Sequence, residues 1–326
     1  MSDFWKGRPV LVTGGGGFLG SWLVKHLVDR GASVVCLLRD TVPESGLRML
    51  GLEDRVQVVR GDIIDYACVE RALNEYETDT VFHLAAQALV GTANRSPLST
   101  FETNIKGTWV VLEAARTIST VTRTVVASSD KAYGSAPDLP YREDHPMAGL
   151  HPYDASKSCT DILARTYAHT WGMPVTVTRC GNLYGGGDMN WNRIVPDTIR
   201  ALWEGRAPVI RSDGTFERDY LYVEDAALGY LRLAERTPDK DVRGKAFNLG
   251  LGRPVTVLEI VDQLIAIHGK PVEPQVLNQA KAEIHSQYLD CTLARELLGW
   301  TPAHDLSAGL RKAWDWYSGW LDAHRR

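Results

Sequence analysis

Tyr153 and Lys157 stand four residues apart in the segment His151-Pro-Tyr-Asp-Ala-Ser-Lys157. On a helix that spacing puts both side chains on one face, where an ammonium lowers the pKa of a neighbouring phenol and makes tyrosinate an accessible base. Such a pair removes protons from hydroxyl groups. A second chemical feature is the turn Thr13-Gly-Gly-Gly-Gly-Phe-Leu-Gly20, in which Gly14, Gly17 and Gly20 are spaced GxxGxxG. Glycine permits a tight turn and brings backbone N–H groups against a pyrophosphate at the positive end of a helix. The turn follows an apolar run and precedes a helix starting near Phe18, so Gly14, Gly17, Phe18, Leu19 and Gly20 are candidate dinucleotide contacts.

The second apolar run ends Leu38-Arg39-Asp40, where a dinucleotide fold places an acidic residue for the ribose hydroxyls. Asp40 suits NAD, while Arg39 is equally well placed for the extra phosphate of NADP. NAD is the expected cofactor and NADP the alternative. Beyond the third run lie Asp62 and Ile63. The Asp62 carboxylate either accepts a hydrogen bond from an adenine amino group or closes a solvated turn. His83, at the end of the fourth run, has no partner in view and is read as structural, with no catalytic role.

These groups need a scaffold. From Pro9 to about Arg179 short β-branched runs alternate with amphipathic stretches. The runs are Pro9–Thr13, Ser33–Leu38, Val56–Val59, Thr80–Leu84, Thr124–Ser128 and Val175–Thr178, with helical segments such as Gly17–Arg30 between them. This pattern predicts an α/β fold: a Rossmann-type doubly wound parallel sheet. After Arg179 the texture turns Gly-rich, aromatic and Arg-rich, which predicts a smaller C-terminal α/β substrate lobe. The expected division is a dinucleotide-binding domain over 1–180 and a substrate lobe over 181–326. Residues 223–250 are expected to return to the first domain through a helix at Val223–Arg236 and a strand at Ala246–Leu249.

Composition narrows the function classes. The 326 residues carry 36 Lys+Arg against 40 Asp+Glu, a net charge of −4, so there is no broad positive field for nucleic acid. No apolar stretch approaches the ~18 residues that span a bilayer, and MSDFWKGRPV lacks a secretory h-region. No membrane partner is expected, and the reading is cytoplasmic. The five cysteines are scattered without a CxxC pair, which suggests neither disulfides nor a metal site.

Along nearly its whole length the chain resembles the extended short-chain dehydrogenase/reductases that act on nucleotide sugars. The resemblance is carried by Gly14–Gly20, Gly61-Asp62, His83-Leu-Ala-Ala86, Asn104, Ser128-Ser129, Tyr153 with Lys157, Asn182 and Arg218-Asp-Tyr-Leu-Tyr-Val-Glu-Asp225. It implies a cofactor-binding lobe with Leu84, Ala85 and Ala86 near the dinucleotide, a second lobe holding a nucleotide-diphosphate hexose, and a homodimer. Within that family, 4-epimerases carry small residues after the catalytic Ser/Thr and 4,6-dehydratases a charged pair. Here the pair is Asp130-Lys131, most like the CDP-glucose 4,6-dehydratases. The glycine loop departs from the His-Thr-Gly-Phe-Lys-Gly form of those enzymes, which leaves other nucleotide bases as alternatives.

The resemblance implies these roles. Tyr153 takes the O4 proton while hydride passes from C4 to the nicotinamide, to return finally to C6; Ser129 hydrogen-bonds that oxygen, and Lys157 holds ribose and tunes Tyr153. A ketone at C4 acidifies C5, so Lys131, or a partner near it, can remove the C5 proton while Asp130 protonates the departing C6 hydroxyl. This requires a neutral Lys131, favoured by enclosure and the charge of Lys157, and a protonated Asp130, favoured by burial. The plain alternative is an Asp-Lys salt bridge in a turn. Asn182, Arg193 and Arg218 are the candidate diphosphate contacts, and Arg253 is a weaker one. Two other readings stand beside the dehydratase: a nucleotide-sugar 4-epimerase, and a non-catalytic dinucleotide-binding sensor or scaffold.

Overall fold

In the computed structural model, which describes residues 3–279 and 284–325, the β-branched runs become strands. They are β1 (Pro9–Thr13), β2 (Ser33–Leu38), β3 (Gln57–Arg60), β4 (Thr80–His83), β5 (Arg123–Ala127), β6 (Val175–Cys180), β7 (Asn182–Tyr184), β8 (Val209–Ile210), β9 (Glu217–Arg218), β10 (Tyr220–Tyr222), β11 (Ala246–Leu249), β12 (Val255–Thr256), β13 (Gln275–Val276) and β14 (Ser286–Gln287). Seven of them form a sheet in the order β11-β6-β5-β4-β1-β2-β3, every neighbouring pair parallel. Both faces are covered, so β4 and β6 are buried at every position, as parallel strands require. Helices Phe18–Asp29 and Val223–Arg236 pack together in one core; Tyr66–Glu75, Gly107–Thr117 and Pro152–Trp171 contribute to the other.

Strand order reverses between β1 and β4, and a crevice opens there beyond the carboxyl ends of the strands. The chain leaves β1 at Gly14, β4 at Leu84, β5 at Ser128 and β6 at Gly181, so four separated segments emerge at one rim. The third and fifth strands sit one residue from their predicted limits, because pairing sets the ends: Gln57 lies opposite Val35, and Arg123 opposite Thr80. The sixth runs on to Cys180, since Leu249 of β11 supplies a partner there.

Between β6 and β11, and again after β11, short strands build the far wall. β9 lies between β12 and β14, with Arg218 in register with both Val255 and Gln287, and β10 pairs with β7. Helices Ile194–Trp203, Val257–His268 and Leu306–Ala323 pack behind these strands. No helix among the described residues is long and apolar enough to cross a membrane, and no cluster of His, Cys, Asp and Glu among them could hold a metal ion.

Candidate active site

A cleft of about 1620 Å³ follows the strand ends, and every residue singled out from the sequence for catalysis, cofactor or substrate except Arg253 lies on its wall. The glycine turn forms one end. Gly14 has φ +75°, and a Cβ there would lie 2.7 Å from the Ala85 nitrogen. At Gly20 a Cβ would come within 2.1 Å of the Gly14 carbonyl oxygen. The turn is closed by the Gly17 N–H donating to the Gly14 carbonyl at 3.0 Å, and Gly17 caps the helix Phe18–Asp29. Such a cradle suits a pyrophosphate, because only bare backbone lets N–H groups and the positive helix end approach it.

At the end of β2 the Arg39 guanidinium donates to Asp40 at 2.9 Å, and both side chains are exposed. The carboxylate expected to meet ribose therefore carries its own counter-charge. Asp62 accepts from the Ile64 N–H at 3.2 Å, the turn-closing arrangement, while still lining the cleft with Ile63. Leu84, Ala85 and Ala86 continue from β4. The His83 ring is 2.8 Å from the Thr13 hydroxyl and 3.2 Å from that of Thr108. Burial and the nearby Lys157 charge lower its pKa to about 3, so it is a neutral internal strut.

Pro152 at the first turn starts the helix that carries Tyr153 and Lys157. Asn104 braces that helix: it is 1% exposed, exchanges hydrogen bonds with the Gln87 backbone at 2.7 and 3.1 Å, and donates to Ser156 Oγ at 2.8 Å. The Lys157 ammonium donates to the Ala127 carbonyl at 2.8 Å, and desolvation brings its pKa down to about 8. The phenol departs from expectation. Instead of falling, the Tyr153 pKa rises to about 12: burial is the largest cause, a Ser129 hydrogen bond and Arg193 pull down, and Asp130 and Asp154 push up. Desolvation of the phenolate outweighs the neighbouring cation, whose hydrogen bond goes to a backbone carbonyl.

Directly after β5, Ser129 caps the short 3₁₀ turn Asp130–Tyr133, its Oγ accepting from the Lys131 N–H at 3.2 Å. The same hydroxyl donates to Asp130 Oδ1 at 3.0 Å. Asp130 is 1% exposed, and its other oxygen, Oδ2, is buried with no hydrogen-bond partner among the described residues. Lys131 turns the other way and donates to Gln287 Oε1 at 3.2 Å. Asp130 and Lys131 thus do not form the salt-bridged turn that was the plain alternative; each side chain of the pair has a separate neutral partner.

The opposite wall comes from the second lobe. Asn182 opens β7, with its N–H bonded to the Asp219 carbonyl at 2.7 Å. Arg193 donates to Asp188 at 2.9 Å at the start of helix Ile194–Trp203. Arg218 donates to the carbonyls of Glu217 at 2.8 Å and His285 at 3.1 Å. Arg253 pairs with Glu259 and is not on the cleft wall. Behind the wall Asp219, fully buried, accepts from the N–H groups of Leu251 at 2.7 Å, Gly252 at 3.0 Å and Leu289 at 3.3 Å. Gln287 was not singled out from the sequence, where no local pattern marks it, and Asp219 stood in the Arg218–Asp225 motif without an assigned role. For Asn104 the signal was its place among the motif residues.

The switch-point cleft and its Tyr/Lys helix place the chain among the extended short-chain dehydrogenase/reductases. A family model described as GDP-mannose 4,6 dehydratase matches residues 11–313, and the chain belongs to that family. It is similar to a CDP-glucose 4,6-dehydratase from Salmonella typhimurium, 31% identical over 98% of this chain and 93% of the relative. Among solved structures, a UDP-glucose 4-epimerase from Thermotoga maritima, determined with UDP-glucose, superposes with a TM-score of 0.87 at 30% identity, covering 96% of this chain and 99% of that one. A UDP-glucose 4-epimerase from Stenotrophomonas maltophila with bound NAD gives 0.86 at 26% identity, covering 97% and 99%.

Proposed function

We propose that this chain is an NAD-dependent nucleotide-sugar 4,6-dehydratase acting on CDP-glucose or a related nucleotide-diphosphate hexose. The observation that supports the reading is the Asp130 carboxyl, anchored by Ser129 through one oxygen and, among the described residues, buried without a partner at the other, beside a lysine that donates to a neutral amide. Elimination of water needs, besides the O4 base, an additional proton donor and base for C6 and C5, and a 4-epimerase does not need that second pair. The glycine cradle at Gly14–Gly20 fits a dinucleotide, with Asp40 near the ribose and Asp62 near the base. When bound, NAD supplies a carbon that accepts hydride and gives it back.

Tyr153 takes the proton from O4 as tyrosinate, the form that the positive nicotinamide ring of bound NAD would favour against the burial that raises the phenol's pKa, and Ser129 steadies that oxygen. Lys157, fixed on Ala127, holds the ribose side of the cleft. Lys131 then removes the acidified C5 proton while Asp130 protonates the leaving C6 hydroxyl, so water departs and the C5 proton remains on the lysine for return. Asn182, Arg193 and Arg218 face the diphosphate from the second lobe. The partner is a second copy of the chain, because Leu98, Trp109 and Ile162 are 70%, 41% and 53% exposed on neighbouring helical segments, an apolar surface that a homodimer would cover. The expected location is the cytoplasm.

Purified protein incubated with NAD and CDP-, TDP-, GDP- and UDP-glucose tests the reading. The expected product is a 4-keto-6-deoxy sugar, detected by its ultraviolet absorbance in base and by loss of water in the mass spectrum. Conversion to the C4 epimer alone sinks the dehydratase reading in favour of the 4-epimerase. NAD binding with no turnover of any of these sugars points to a sensor.

A further inference from the structure

Gln287 has no part in the chemistry described above, yet it is 2% exposed and in contact with the centre of it. Its Oε1 accepts from Lys131 Nζ at 3.2 Å, and its Nε2 donates to the Asp130 backbone carbonyl at 3.4 Å. One amide therefore grips both residues of the catalytic turn from a strand more than a hundred positions further along the chain. That strand, β14, runs parallel to β9 with Gln287 in register with Arg218, and the Arg218 guanidinium reaches back to the His285 carbonyl just before β14.

We infer that Gln287 is a positioning residue for the elimination step: it aims the Lys131 amine through an uncharged acceptor and couples the catalytic turn to the strand that presents Arg218 to the diphosphate. The inference rests on the proposed role of Lys131 as the C5 base. Its physical core is the choice of an amide. A carboxylate at this place would put a negative charge against Nζ and favour the ammonium. An apolar side chain would leave the amine without an acceptor and free to rotate. The amide accepts one N–H whether the lysine is charged or neutral, so it orients the group while opposing loss of the proton much less than a carboxylate would.

The titratable groups around this contact are Asp130 on the same turn, Tyr153 and Asp154 on the helix Pro152–Trp171, Tyr141, and Arg218 on β9. None of them is hydrogen-bonded to Lys131 Nζ; Gln287 holds that atom alone among the described residues. Arg218 lies beside Gln287 on the paired strand, which offers a route for phosphate binding to steady the base. Energy gained at the non-reacting end of a substrate is then used where bonds break.

Three full-length variants with NAD test the assignment: Gln287→Glu, Gln287→Leu and Gln287→Asn. The pH midpoint of Lys131 acylation, followed by peptide mass spectrometry without any sugar, is expected to rise by about 1–3 units in Q287E relative to wild type and to stay lower in Q287L. With CDP-glucose, the rising limb of the pH–rate profile for elimination should move upward by the same amount in Q287E and recover its plateau at high pH. Q287L and Q287N, whose side chains cannot reach Nζ as an acceptor, should lose at least about tenfold of kcat at every pH without an upward move of the limb. An unmoved Lys131 midpoint in Q287E, or wild-type kcat in both Q287L and Q287N, overturns the assignment. If Q287E fails to fold by circular dichroism, Q287L and Q287N still decide it. Should the wild type only epimerise C4, the dehydratase reading fails by itself, and the labelling midpoints still judge whether Gln287 governs Lys131.

Discussion

Ser129 Oγ donates to Asp130 Oδ1 at 3.0 Å and leaves Oδ2 buried in the cleft wall, unpaired among the described residues. A buried oxygen without a partner is costly in a folded protein and persists where function requires it. Replacing Asp130 by Asn keeps the shape and removes the transferable proton. D130N is expected to lower the rate of water loss by about 10²–10⁴-fold while C4 oxidation continues. Reduced-cofactor absorbance should then build up in a single turnover with CDP-glucose; unchanged product formation would remove Asp130 from the mechanism.

Tyr153→Phe should act one step earlier. The variant is expected to lose about 10²–10⁴-fold in kcat with no accumulation of reduced cofactor, because the O4 proton has no acceptor. The same substitution should delete one phenol titrating near pH 12 from the ultraviolet spectrum, matching the raised pKa of this buried tyrosine.

His83 makes the fold acid-sensitive. Its folded pKa is about 3 against an ordinary 6.5, so between those values the unfolded chain takes up a proton that the folded chain refuses. Stability therefore falls as pH drops from about 6.5 towards 3, with a loss near pH 5 of about 2 kcal/mol from this group. Urea midpoints at pH 7 and pH 5 should differ less in His83→Asn than in wild type, and the wild-type ring resonance should stay that of neutral imidazole down to about pH 4.

Gly20→Ala forces a methyl against the Gly14 carbonyl, where a Cβ would lie 2.1 Å away. A loss of about 1–3 kcal/mol or more is expected, with weaker NAD binding measured by titration calorimetry. Gly319 is the control. It sits in the helix Leu306–Ala323 with nothing within 4 Å of an added Cβ, and Gly319→Ala should gain about 0.5–1 kcal/mol by thermal melting.

What could be read from the chain was what is local. β1 and β2 are β-branched runs that pairing leaves almost unchanged, and the turn from Gly14 to Gly20 carries its function in residues that touch each other. Tyr153 and Lys157 share a helix, so their proximity follows from spacing. The direction of the Tyr153 shift did not follow, because desolvation is set by what packs around the phenol rather than by the lysine one turn away. Lys131 finds Gln287 across 156 positions, and Asp219 collects N–H groups from Leu251, Gly252 and Leu289. Contacts of that range leave no periodicity behind. The short strands β9, β12 and β14 are two residues each and exist only because they meet.

The adjacency of β6 and β11 has a consequence for engineering. Everything from Gly181 to Lys245 is an excursion that departs from one strand and comes home to its neighbour, so the segment with β7 to β10 and the helix Val223–Arg236 is stitched into the sheet at both ends. Splitting the gene after codon 180 would strand an edge of the sheet in the wrong fragment, and swapping the loop-out between relatives would keep the fold only where the new helix still met Phe18–Asp29 and the new β9 still met β12 and β14.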